Sequence, residues 1–222
     1  MKKKINKKNQ ITELIILFSL LIISFFLWNT NFVYPIKLFV VMLHELGHAL
    51  AAILSGGKVT AINISFDLSG KCEIEGGNNI LIASAGYLGS LFLGLLFFLS
   101  PNNKKIGKRI IVSTAVILLI TTMSIATESS FILLAFILFV LLIAAAFYLR
   151  IAIVSILMRA FGLISCVYVL FDIKEDIFFK SNSVSDATIL SNLINIPVML
   201  IGTIWIVISA AGIFLALKLS YK

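Results

Sequence analysis

Histidine is almost absent from this chain of 222 residues: only His44 and His48 occur. Acidic residues are scarce, ten in all, and cysteine is limited to Cys72 and Cys166. Two distant cysteines in no metal-binding spacing supply no disulfide framework. Charged residues make up only 13% of the chain, and no Ser/Pro/Gly-rich linker or polar block is long enough to be a separate soluble module. One domain over residues 1–222 is therefore the economical count. Also missing is a basic face interleaved with aromatics, so the net charge of +8 is no sign of nucleic acid as a partner.

What is present is apolar. The hydrophobic fraction is 60% and the mean hydropathy is +1.11. That is the composition of an integral membrane protein, with the lipid bilayer as its surroundings. The expected fold class is an all-α polytopic membrane protein with about seven transmembrane helices. The spans are expected near 11–29, 34–55, 80–100, 109–127, 131–149, 151–171 and 195–218. The first has a basic head like a signal peptide, but its apolar run from Ile11 to Trp28 is long. Phe26-Leu27-Trp28-Asn29 is no small-residue cleavage site, so it is read as an uncleaved span.

Basic residues flank the spans and act as topology signals and lipid contacts. Lys2, Lys3, Lys4, Lys7 and Lys8 precede the first span, and Lys104, Lys105, Lys108 and Arg109 share one short loop. A cytosolic N-terminus leaves nine Lys and Arg on the cytosolic side and seven on the other. The first span usually dominates, so that orientation, in the cell membrane, is the expected one.

Two connections are long, 56–79 and 172–194. Gly56-Gly57 closes the second span as glycines do at helix ends. Ile62, Ile64, Phe66 and Leu68 then alternate with Asn63, Ser65 and Asp67, and Cys72 and Ile74 alternate with Lys71, Glu73 and Glu75. With Ser69-Gly70 as the turn, this predicts a β-hairpin. In the third span, Gly86, Ser90 and Gly94 recur every four residues. Small residues so placed let helix backbones approach closely in lipid, and the expected neighbour is the second span.

That second span carries both histidines, in His44-Glu45-Leu46-Gly47-His48. Positions four apart on a helix lie ~40° apart and ~6 Å along the axis. Two imidazoles so placed can share one metal ion, and the intervening Glu45 can reach a water on it. Ionisable groups at membrane depth are costly unless paired or used. Zn2+ suits two imidazoles plus a carboxylate. A third protein ligand must come from a carboxylate or a cysteine. Phe171-Asp172-Ile173-Lys174-Glu175-Asp176 closes the sixth span, which runs parallel to the second. Asp172 thus reaches a depth similar to the histidines. Asp176, Asp186, Cys72 and Cys166 are the alternatives. Arg159 lies 13 residues before Asp172, ~20 Å along a helix, and is read as structural or snorkelling.

Leu43-His44-Glu45-Leu46-Gly47-His48-Ala49, followed by Gly56-Gly57 and a strand pair, resembles the site-2 protease superfamily of membrane zinc metalloproteases. Ala85-Gly86-Tyr87-Leu88-Gly89, Phe171-Asp172-Ile173 with Asp176, and Ser185-Asp186-Ala187 are similar to its B-like branch, in peptidase family M-fifty. The resemblance covers residues ~40–190. It implies His44, His48 and a late-span Asp, here Asp172, as zinc ligands and Glu45 as the catalytic base. The chain lacks the Leu-Asp-Gly signature that other members carry around the third ligand.

The expected function is therefore that of an intramembrane zinc endopeptidase acting on a membrane-associated protein. Spanning substrate helices have no free backbone groups and must be unwound before cleavage. The hairpin is expected to hold the unwound segment by strand addition, with Ile62, Ile64 and Phe66 as substrate-binding residues. Two rival readings are a metal transporter or sensor and a catalytically inactive zinc-binding scaffold. Glu45 separates them, because only a protease needs it.

Overall fold

The computed structural model describes residues 7–28, 30–178 and 185–221. The described residues form eight α-helices and one hairpin: α1 (Lys7–Phe26), α2 (Tyr34–Leu54), β1 (Lys58–Ile64), β2 (Gly70–Glu75), α3 (Asn79–Leu99), α4 (Lys104–Ile125), α5 (Ser129–Tyr148), α6 (Ile151–Phe178), α7 (Asp186–Ile194) and α8 (Val198–Ser220). Among the described residues, six helical segments are long and apolar enough to cross a membrane, from Asn31–Leu54 to Val198–Ser220. Another apolar segment, Gln10–Phe26, is shorter. The expected polytopic α-helical class, with a hairpin after the metal-motif helix, is what the chain adopts.

Within 172–194, the described residues are mostly helical rather than a polar connection. Helix α6 continues to Phe178, and its 28 residues span about 42 Å, more than the hydrocarbon core. The nine residues of α7 form a helix too short to cross it. Ser185 caps α7, accepting a hydrogen bond from Thr188 N at 3.3 Å, while Ser185 N donates to Thr188 Oγ1 at 2.8 Å. This reciprocal pair satisfies donors that a helix start leaves open. Asn195, at φ 55°, ends α7 in the left-handed conformation.

Local chemistry sets the boundaries around the hairpin. Gly56 follows α2 at φ 84°, and Gly57 N donates to Ala52 O at 2.8 Å. That is how a helix stop satisfies late carbonyls. Strands β1 and β2 are antiparallel, with Ile62 opposite Cys72, Ile64 opposite Gly70 and an irregularity between Val59 and Ala61. Alternation alone put Phe66 and Leu68 in the first strand and a turn at Ser69-Gly70. The strand instead ends at Ile64 and Gly70 already belongs to β2. The reason is Asp67, whose Oδ1 accepts from Ser69 N at 3.0 Å and Ser69 Oγ at 2.7 Å, folding residues 65–69 into the turn. These bonds hold the exposed Asp67 carboxyl below its ordinary range. Asn63 ties the hairpin to the α4–α5 connection. Its Nδ2 donates to Thr127 Oγ1 at 2.7 Å, and its Oδ1 accepts from Thr127 N and Glu128 N at 3.0 and 3.2 Å.

Lipid tails are as apolar as leucine, so close packing and polar bonds, rather than water exclusion, hold such helices together. At Gly47 of α2, a Cβ would overlap the Ala85 carbonyl of α3; at Gly89, it would stand 2.9 Å from Gly47 Cα. The small residues of α3 serve two neighbours rather than one. Gly89 meets α2, whereas Gly94 meets Cys166 Sγ and the Gly162 carbonyl of α6. Phe39 of α2 is fully buried, with its ring 5.2 Å from Phe97 and 5.6 Å from Phe161. At the end of α3 remote from the histidines, buried Arg159 donates to Asn102 Oδ1 at 2.8 Å and Tyr221 Oη at 3.1 Å and pairs with Glu13. The structural role expected of Arg159 is thus a shared polar knot between α1, α6, the Ser100–Asn102 turn and the end of α8. A charge in a bilayer interior needs such partners.

Candidate metal centre

Helical spacing puts His44 and His48 on one face of α2, in its second half. Their rings meet edge to face with centroids 4.8 Å apart, and their Nε2 atoms are 3.1 Å apart. His48 Nδ1 lies 2.8 Å from the carbonyl of Ile82 on α3. A carbonyl only accepts, so Nδ1 carries the proton and Nε2 presents a bare lone pair. The His44 ring abuts Tyr87 edge to face at 5.0 Å, and Tyr87 in turn packs on Trp205 of α8 at 5.0 Å. Both rings are therefore oriented from outside the motif.

The third group is Asp186, the first residue of α7. Its Oδ2 lies 3.0 Å from His44 Nε2 and 3.1 Å from His48 Nε2. It reaches that place because α7 docks through Ala187 and Leu190, which are buried with Ala83, Tyr87, Val169, Ile173 and Trp205.

These residues fit a zinc ion by three tests. Among the described residues, they are the one group of three or more His, Cys, Asp and Glu whose ligand atoms converge, all within 4.8 Å of one another. For ligands 2.0–2.1 Å from a tetrahedral ion, neighbouring donors stand roughly 3.3–3.4 Å apart, close to the triangle seen. Second, Asp186 Oδ2 is buried with no N–H or O–H directed at it, although two imidazole nitrogens surround it. A buried carboxylate oxygen without a donor is costly, and a cation between the three atoms removes that cost. Third, a Cβ added at Gly86 of α3 would overlap His44 Nε2 and stand 2.6 Å from Asp186 Oδ2. The space beside the donors is open only because residue 86 has no side chain.

Glu45 follows His44 and so faces about 100° around the helix. It is buried. Its carboxylate lies against Gly70 of β2, where a Cβ would overlap Oε1 and stand 2.8 Å from Cδ. The hairpin thus closes over the carboxylate at the one residue of β2 without a side chain.

Asp172 belongs to α6, but its side chain lies outside the described residues, as does that of Asp176. The group brought to the histidines is Asp186, the alternative that needed the 172–194 region to fold back. The sign of it in the sequence was Ser185 with Thr188 three residues on, a helix start rather than a loop. Cys72 is on β2, where burial and the Glu45 charge push its thiol up to about 12, so it stays protonated. Cys166 is buried against the Leu91 carbonyl, with Sγ 3.7 Å from it. Ile62 and Ile64 point into the core with Leu43 and Leu46 of α2, while Phe66 is exposed in the turn.

The family described as Peptidase M50B-like matches residues 17–216. Comparisons with curated proteins and with solved structures found no match.

Proposed function

Since the chain belongs to the peptidase M50B-like family, we propose that it is a zinc endopeptidase that cleaves a membrane-associated protein within or beside the bilayer. The observation that carries this reading is the convergence of His44 Nε2, His48 Nε2 and Asp186 Oδ2 at 3.0–3.1 Å, with Glu45 one residue from the first of them. His44, His48 and Asp186 would hold the ion. When bound, zinc lowers the pKa of water and polarises a carbonyl. Glu45 takes the proton of the attacking water on its carboxylate and returns it to the leaving amine. Gly70 keeps that carboxylate aimed. His48 is locked in the ligand tautomer by Ile82 O.

The hairpin supplies the surface for the unwound substrate. Ile62 and Ile64 anchor β1 by burial, so substrate pairs with backbone at a strand edge, and Phe66 is the exposed side chain beside it. The N-terminus is cytosolic in this reading.

The test is the Glu45→Gln variant. Gln keeps the shape but accepts no proton. Purified in detergent, it should retain one zinc per chain by elemental analysis, lose cleavage, and trap its substrate for identification by mass spectrometry. Undiminished cleavage of a native membrane substrate would rule the mechanism out.

A further inference from the structure

We propose that Gly86 is a positioning residue of the metal centre: its missing side chain makes the room in which His44 and Asp186 meet the ion. The inference rests on the zinc reading above and adds to it a residue that donates no ligand atom. Gly86 lies in the interior of α3, where glycine is disfavoured relative to alanine. Its backbone needs no left-handed conformation, unlike Gly56, Gly76 and Gly77. The absence of a methyl group must therefore be explained by what the methyl would touch.

A Cβ at Gly94 would meet Cys166 Sγ at 2.9 Å and the Gly162 carbonyl of α6, and three other tightly packed helix glycines face helix backbone. A Cβ at Gly47 would overlap the Ala85 carbonyl, one at Gly89 would reach Gly47 Cα at 2.9 Å, and one at Gly162 would reach Phe98 N at 2.6 Å. All of these are backbone atoms of a neighbouring helix, as small-residue packing in lipid predicts. Gly86 differs in kind. The three atoms nearest to its Cβ position are His44 Nε2, Asp186 Oδ2 at 2.6 Å and His44 Cε1 at 2.6 Å. All three belong to two side chains of the triad, on two different elements. Zinc bonds to nitrogen and oxygen are roughly 2.0–2.2 Å, so a methyl there and a cation held by these donors compete for nearly the same space. Alanine at 86 would displace the ion or push the donors apart while leaving every ligand in the chain.

The experiment compares wild type, Gly86→Ala and the Gly86→Ala/His44→Ala pair, each stripped with a chelator and titrated with zinc chloride in detergent. Zinc affinity is read by competition with a chromophoric chelator, and folding of the zinc-free proteins by thermal unfolding. Wild type should bind one zinc. Gly86→Ala should remain helical and bind zinc about 100-fold more weakly or worse, at or beyond the upper end for residues that only orient ligands. Affinity within about threefold of wild type would overturn the proposal. If Gly86→Ala is unstable without zinc, removing the His44 imidazole should restore stability, because that is the group the methyl meets. Failure of the pair to recover would show that the His44 imidazole is not the group the methyl strains and would equally overturn it. A wild type that takes up no zinc would sink the zinc reading. The steric claim would then be decided on the zinc-free proteins, supported by instability that the pair relieves and overturned by unchanged stability.

Discussion

Asp186→Asn is the most informative single change. The side chain keeps its shape, Ser185 still caps α7, and Ala187 and Leu190 still dock the helix. Only the carboxylate charge and its basicity toward a metal are lost. Apparent zinc-binding free energies of four-ligand protein sites are about 10–16 kcal/mol, or about 2.5–4 kcal/mol per ligand when shared equally. That corresponds to a loss of about two to three decades in zinc affinity. The direct structural cost is smaller. Asp186 is the acidic residue in the first turn of α7, and a negative charge there is worth about 0.3–1 kcal/mol. The two effects therefore separate in one assay. Without zinc, Asp186→Asn should unfold near the wild-type temperature. With zinc at about 1,000 times the wild-type Kd, wild type gains about 4 kcal/mol and the variant loses most of that gain. Chelator competition gives the affinity directly, with Asp172→Asn measured alongside. If Asp186→Asn holds zinc like wild type while Asp172→Asn loses it, the docking of α7 does not complete the site. The span-end carboxylate of α6 is then the ligand.

Three further outcomes follow from particular contacts. Gly70→Ala should move the Glu45 carboxylate, since the new methyl overlaps Oε1. Zinc content should stay at one per chain, while cleavage of a substrate trapped with Glu45→Gln drops about 100-fold, the cost of a misplacement near 1 Å; unchanged cleavage would free Glu45 from the hairpin. Arg159→Ala should leave the half-buried Glu13 without its cation and lower stability by about 1.5–3 kcal/mol in thermal unfolding, with zinc stoichiometry intact. Loss of zinc before unfolding would link that knot to the metal centre. Asn63→Ala removes three hydrogen bonds between hairpin and α4–α5 connection, each worth about 1 kcal/mol or less where water competes. It should speed amide exchange in β1 and β2 without altering zinc affinity, and unchanged exchange would refute the clamp.

Features that depend on neighbours along the chain could be read from residues alone. The His44–His48 pair needs only the pitch of a helix, and the spans need only length and apolarity, so both were legible without a fold. The stop at Gly56 and the existence of the hairpin were equally local. Its exact turn was misjudged because a hydrogen bond from Ser69 to the Asp67 side chain overrides alternation. The third member of the triad was of another kind. Parity of spans pointed to the end of α6; Ser185 and Thr188 mark a helix start locally, but nothing local says where that helix docks. That choice was made by apolar contacts of Ala187 and Leu190 with Tyr87, Val169 and Trp205, on three other helices. The same holds for Gly70 and Gly86. Each reads as a turn or packing glycine in sequence, and only the crossing of strand and helix over the motif shows which carboxylate and which imidazole occupy the space a side chain would fill. Periodicity determines which residues share a face; the packing of distant elements decides what that face meets.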